Sequence, residues 1–205
     1  MEDQPMFPLE SVLFPGQTLP LRIFEERYKK LVIDSLARSG VFGIVLIEKG
    51  REVGGGDVRS SIGCSAEIID HQELQDGTIS LTVAGRHRIA IEQWLTDAPY
   101  PIATVRTWPD EIQEIKQSKA EKSVDYFLSF LERAKTVGYT VPRLSKDEIM
   151  VGLDDTELSF RLSALIPVGP FDNQMLLAAS GPSQRLDLVD ELVTGLIELL
   201  TDIED

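Results

Sequence analysis

Near Pro109 the spacing of apolar residues changes from two to between three and four, and this change limits the folds open to the 205-residue chain more than any other feature. Before it, short apolar runs with alternating polar residues are separated by glycine, proline and Asp-Gly turns, which is strand chemistry. After it, Ile112, Ile115, Val124, Phe127, Leu131 and Ala134 recur at helical spacing to about Lys135, and Gly138 ends the run. A strand-rich region followed by an all-helical one makes an α+β protein. The predicted domains are residues 1–110 and 111–205, with no internal repeats.

In the first region Leu19, Leu21 and Ile23 alternate with Pro20, Arg22 and Phe24, after a Pro15-Gly16 turn. Pro20 cannot donate to a ladder, so this strand is expected at a sheet edge or interrupted there. Glu25 and Glu26 open a helix that carries Tyr28, Leu31, Val32, Ser35 and Leu36, and Gly40 closes it. The continuous apolar run from Val41 to Ile47 predicts a central strand buried on both faces. Gly50, Gly54, Gly55 and Gly56 then mark a hairpin loop, Ile62 to Ile69 the next strand, and Asp70 to Gly77 the turn back. On the longest strand Ile79, Leu81, Val83, Gly85, His87, Ile89 and Ile91 share one parity. His87 is therefore expected on the apolar face, unless a bulge at Gly85 changes the register, and Arg86 and Arg88 on the other, as a solvated face or as ion-pair partners of the acidic excess. Tyr100 to Arg106 forms the last strand.

In the second region Asp154 and Glu157 form a capping box before the stripe Leu158, Leu162, Leu165 and Ile166, and Pro167 stops that helix. A shorter helix spans Pro170 to Ser180. Ser183 is predicted to cap the last helix, whose seam of Leu186, Val189, Val193, Leu196, Leu200 and Ile203 packs within the same bundle.

Composition and motif content narrow the chemistry. Cys64 is the single cysteine, which excludes an internal disulfide and a cysteine-based zinc cluster, and it reads as a small core residue. Two histidines, His71 and His87, separated by a turn and a strand, cannot make a His-Glu-x-x-His site. Gly56 is followed by Asp57-Val58-Arg59 and a strand, not by the Lys-Ser/Thr and helix of a phosphate-binding loop. No pair of carboxylates stands out for acid–base work. Catalytic, cofactor and metal residues are thus read as none, and no residue is assigned to substrate binding. A net charge of −14 disfavours nucleic acid as a partner. No apolar run approaches the roughly 20 residues of a membrane span. The acidic Met1 to Pro5 start lacks the pattern of an export signal, so the cytoplasm is the expected compartment.

The block Met6-Phe7-Pro8-Leu9, Leu13-Phe14-Pro15-Gly16 and Leu19 to Tyr28 closely resembles the start of the Lon N-terminal, or Lon substrate-binding, domain. The likeness continues through Ile62-Gly63, Ala66-Glu67-Ile68, Asp76-Gly77-Thr78 and Leu81, then Gly85, Arg86, Arg88 and Ile89. In the helical half it rests on Leu165-Ile166-Pro167, Gln174, Leu176-Leu177 and Arg185-Leu186. The resemblance implies a PUA-like β pseudobarrel with one early helix, followed by a helical bundle. It also implies a non-catalytic protein-binding module whose partners are protein or unfolded-polypeptide clients, accessory to proteolysis or protein quality control and independent of ATP. The ATPase cradle and serine–lysine protease of full-length Lon have no counterpart in the sequence. Capture of an extended segment along an exposed sheet edge, or in an apolar groove between the two regions, is the expected mechanism. An RNA- or modified-base-binding role is the alternative suggested by the fold alone, and an independent peptidase or ATPase has least support.

Overall fold

The computed structural model describes residues 1–49, 58–112 and 117–204, which fall in two units, Met1–Pro109 and Asp110–Asp205. The Gly50 to Gly56 loop and Ile115 lie outside the described residues.

Unit 1 contains β1 (Glu2–Leu9), β2 (Thr18–Ile23), α1 (Glu26–Leu36), β3 (Val41–Lys49), β4 (Val58–Glu73), β5 (Ile79–Trp94) and β6 (Ile102–Thr107). The sheet runs β2-β5-β4-β3-β1-β6, and β5 also pairs with β6. Five strands therefore close on themselves, leaving β2 outside the ring and paired to β5 alone. Closure removes unpaired edges from the ring. Only the β1–β3 pair is parallel among the strand pairs of this sheet. β3 is buried from Phe42 to Ile47, as expected for a central strand.

β5 serves two neighbours in turn: Ile79–Ala84 pairs with β2, and Ile89–Trp94 pairs with β6. Between these halves the β4–β5 ladder skips Arg86, since Ser65 faces His87 while Ala66 faces Gly85. One extra residue reverses the side-chain parity. Leu81 and Val83 consequently join Phe7, Phe42, Ile44 and Cys64 in one core cluster, whereas Ile89 joins Met6, Val45, Ala103 and Val105 in another. The expectation of His87 on the apolar face is corrected by this bulge: His87 is exposed and Arg88 is buried. Gly85 anchors the kink. Its N–H donates to the Gln17 carbonyl at 2.8 Å, and its carbonyl accepts from the Gly16 N–H at 2.9 Å. A Cβ there would stand 2.2 Å from the Phe14 oxygen, so only glycine lets the Pro15-Gly16 turn lie on the strand.

The polar stretch from Asp70 also differs from its expected turn. β4 continues to Glu73, paired with Ile79, and the reversal is confined to Leu74–Thr78, with the Leu74 N–H on the Thr78 carbonyl at 2.8 Å. Cross-strand pairing supplies every second residue of such an arm with backbone partners regardless of side-chain polarity. α1 packs Tyr28, Leu31 and Val32 into the first cluster, and Gly40, at φ +72°, ends its last turn by donating to the Ser35 carbonyl.

Unit 2 contains α2 (Gln117–Thr136), α3 (Lys146–Met150), α4 (Asp155–Leu165), α5 (Pro170–Leu177) and α6 (Pro182–Glu204). Val124, Phe127, Leu131 and Ala134 of α2 are buried, but Ile112 is outside the helix and fully exposed, so its place in the predicted stripe is corrected. Gly138, at φ +100°, lies just beyond α2, and the Tyr139 N–H returns to the Ala134 carbonyl at 3.0 Å. The Asp154–Glu157 capping box of α4 is present as read. A second one, Ser145–Glu148, starts the short α3, which the sequence reading did not identify. α5 stops at Leu177, short of Ser180, because the chain must turn before Pro182. Ser183 is not a cap: α6 starts at Pro182, the Arg185 N–H donates to the Gly181 carbonyl, and the Ser183 hydroxyl accepts from Lys119 Nζ at 2.9 Å. Leu186, Val189, Val193 and Leu200 of α6 are buried, with α6 against α2 and α4.

Candidate functional site

Among the described residues, unit 1 leaves strand edges open at β2 and at the end of β4. β2 has a neighbour on one side only, but Pro20 leaves a gap in its row of donors. Its Arg22 is also engaged, donating to Asp76 Oδ2 at 2.5 Å and Thr78 Oγ1 at 3.4 Å. The Thr78 hydroxyl and N–H, donating to Asp76 at 2.7 and 3.0 Å, hold that carboxyl down at about 2. The second edge is Ile69–Glu73 of β4, which pairs with β5 after the β3 ladder has ended at Glu67 and the Ile68 N–H has bonded to Gly40. Here Ile69 is the extra residue of a bulge, and Asp70 and Glu73 are exposed. Proline, a bulge and charge are the means by which proteins keep edges from accepting further strands. Both edges are guarded.

Unit 2 carries a more open arrangement. The C-terminal half of α2, the irregular stretch from Tyr139 to Leu144 and the start of α3 enclose a groove of about 790 Å³, a size that suits a peptide or small molecule. Leu128 and Leu131 of α2 form apolar wall, faced by Val141 and Leu144, with Tyr139 half exposed at the rim. Lys135 and Arg143 contribute cations. Glu148 is occupied by its own capping box, accepting from the Ser145 N–H and hydroxyl at 2.8 Å each, and these bonds lower its pKa. Glu132 lies 3.7 Å from Lys135.

The helices behind this groove are held by polar contacts invisible to a hydrophobic pattern. α2 and α6 are laced by Lys119–Asp187 at 2.7 Å, Ser123–Asp190 at 3.0 Å and Tyr126–Thr194 at 2.9 Å. Arg185 is fully buried. It donates to both oxygens of Asp110 at 2.8 and 3.0 Å, to Ser159 Oγ at 2.7 Å and to the Leu176 carbonyl at 3.1 Å, with the Phe160 ring 3.6 Å away. One guanidinium thus joins the first residue of unit 2 to α4, α5 and α6. The sequence reading used Arg185 only as part of a family likeness, and its place beside the Leu186 stripe was the available signal.

The remaining singled-out residues do not converge. His71 and His87 are both exposed. Arg86 pairs with Glu67 across the strands, while Arg88 lies buried with its guanidinium 4.0 Å from the Trp108 ring, which corrects its assignment to a solvated face. Cys64 is buried, and desolvation pushes its thiol up to about 12, the opposite of a nucleophile's environment. Among the described residues no three His, Cys, Asp or Glu side chains gather where they could hold a metal ion. No helix among them is long and apolar enough to cross a membrane.

Comparison with known proteins agrees with this architecture. The family model described as the ATP-dependent protease La (LON) substrate-binding domain matches residues 4–195. Lon protease of Roseiflexus castenholzii is 26% identical over 203 residues, covering 96% of this chain and 24% of that protein. Lon protease of Porphyromonas gingivalis is 30% identical over 112 residues, 53% of this chain and 13% of the relative. The chain therefore spans about a quarter or less of the length of these curated relatives. Among solved structures, a Lon N-terminal domain protein from Xanthomonas campestris superposes with a TM-score of 0.67 at 26% identity, covering 91% of this chain and 96% of that one. The N-terminal domain of a Mycobacterium avium complex Lon protease gives a TM-score of 0.70 at 15% identity, covering 94% and 98%, a likeness of fold.

Proposed function

Because the chain belongs to the ATP-dependent protease La (LON) substrate-binding domain family, we propose that it is a non-catalytic module that binds polypeptide segments in extended conformation, in the cytoplasm and accessory to proteolysis. The observation that carries this reading is the contrast between the guarded strand edges of unit 1 and the open, partly apolar groove of unit 2. An extended client buries apolar side chains in such a groove and leaves its polar backbone at the rim. No step of this function calls for a nucleophile, metal or nucleotide. The regions predicted as residues 1–110 and 111–205 are proposed to fold as separate domains divided before Asp110, which Arg185 binds into the second, the first a scaffold and the second the binding part.

The direct test uses the purified chain and an intrinsically unfolded protein, casein, without ATP. Saturable binding of casein, with no peptide released over hours, is the expected result. Failure to bind casein under conditions where a full-length Lon protease binds it would remove the proposal, and release of peptides by a clean preparation would overturn its non-catalytic part.

A further inference from the structure

We propose that the groove between α2 and α3 selects a segment in which an apolar side chain and a carboxylate stand two residues apart, the carboxylate taken by Arg143. This inference rests on the polypeptide-binding reading above and adds the chemistry of the segment.

The wall from Thr140 to Leu144 is shaped for a main-chain partner. Pro142 disfavours helical backbone at Val141 and favours an extended one. Among the described residues, the N–H groups of Thr140, Val141, Arg143 and Leu144 make no hydrogen bond. The stretch therefore offers backbone donors and acceptors without partners among the described residues, beside apolar surface from Leu128 and Leu131. A chain laid along it exchanges backbone hydrogen bonds and directs alternate side chains to the same side. Val141 and Arg143 are themselves two residues apart, so an apolar residue opposite Val141 places the next residue of the same parity opposite Arg143.

Charge makes the choice of carboxylate. Unit 2 has 19 acidic and 9 basic residues, and its general field repels an anion. Within the groove, however, the local balance differs. Glu148 is turned onto Ser145, and Glu132 faces Lys135, whereas exposed Arg143 has no ion pair among the described residues. A guanidinium accepts a carboxylate by two parallel hydrogen bonds. An acidic side chain reaching Arg143 gains a partner that no internal residue supplies, and a segment lacking one forgoes that pair.

The test is fluorescence anisotropy with two labelled peptides, Ser-Thr-Leu-Thr-Asp-Thr-Ser and the same peptide with Asn for Asp, both amidated at the C-terminus. The full chain is expected to bind the Asp peptide at least tenfold more tightly than the Asn peptide. Arg143→Glu, a change at an exposed position with the fold checked by circular dichroism, is expected to abolish that preference, and Arg143→Lys to keep part of it. Equal binding of the two peptides, absence of binding to both, or an unchanged preference in Arg143→Glu would overturn the inference. If those results accompany normal casein binding by the same protein, the segment chemistry alone is wrong; if casein binding is also absent, the polypeptide-binding reading falls with it.

Discussion

Arg88 in unit 1 and Arg185 in unit 2 are both buried with an aromatic ring against the guanidinium, at 4.0 Å from Trp108 and 3.6 Å from Phe160. They differ in what put them there. Arg88 is turned inward by the one-residue bulge at Arg86, inside a sheet whose strands fix one another through cross-strand pairing. Arg185 is held by a carboxylate, a hydroxyl and a carbonyl drawn from three separate places along the chain. The first arginine follows from register, while the second is the joint of its unit. Removing a buried charge leaves its bidentate partner uncompensated, and removing a cation from a ring gives up that ring contact.

This difference is measurable. Arg185→Met strands the Asp110 carboxylate, which is only 10% exposed, and is expected to destabilise unit 2 by about 3–5 kcal/mol. Arg88→Met, which loses the contact with Trp108 along with the other interactions of Arg88, is expected to destabilise unit 1 by less than Arg185→Met destabilises unit 2. Both tryptophans, Trp94 and Trp108, lie in unit 1, so their emission follows that unit during urea unfolding, while ellipticity at helix wavelengths is dominated by unit 2. A shift of the helix signal by Arg185→Met with the tryptophan transition unmoved sharpens the contrast. Equal losses from the two substitutions would break it.

Gly85→Ala probes the register from the backbone side. The new Cβ meets the Phe14 carbonyl oxygen and the Cys64 sulfur, at 2.2 and 3.2 Å, and a carbonyl cannot rotate away as a flexible side chain does. An overpacking loss of about 1–3 kcal/mol in the tryptophan transition is expected. Reduced protection of the Gly16 N–H from hydrogen exchange should accompany it, because that group donates to Gly85. Unchanged stability would mean that the turn and the bulge are not coupled.

How far the sequence revealed these features depends on the physics behind each. Local chemistry was legible: Pro20 marks a strand outside the ring, the run from Phe42 to Ile47 is central, and Asp154 with Glu157 caps α4. Side-chain periodicity failed where a bulge reset it, which sent His87 outward and Arg88 inward. The expected register is conditional on Gly85, and it breaks at the next residue, Arg86. The groove in unit 2 was not legible, because its wall from Tyr139 to Leu144 has no repeating pattern and gains meaning only when the chain folds α3 back beside α2. The Arg185–Asp110 pair joins residues 75 apart, a pairing that no local pattern encodes.

Asp190 supplies the smallest and most informative contrast, since it is a charge in the α2–α6 seam that lacks the full set of partners given to Arg185. Ser123 donates to its Oδ2 at 3.0 Å, but Oδ1 is buried without a hydrogen-bond partner among the described residues. Desolvation raises its pKa; the Ser123 bond and Lys119 oppose this, and the neighbouring Asp187 adds to it. A carboxyl whose pKa is higher folded than unfolded binds its proton more tightly in the folded state. Stability therefore falls as pH rises from the ordinary aspartate value of 3.8 through the raised folded value, and the ionised group is a net cost at neutral pH. Asp190→Asn keeps an oxygen for Ser123 and places an N–H donor in the acidic surroundings of Asp187. At pH 7 it is expected to stabilise unit 2 by on the order of 0.5 kcal/mol, small because the group is only half buried and water screens it. Below the ordinary aspartate range the gain should vanish, since the wild-type carboxyl is then neutral in both states. Melting followed by ellipticity at pH 7 and pH 3 reads both parts, and a gain that persists at pH 3 would assign the effect to packing instead of charge.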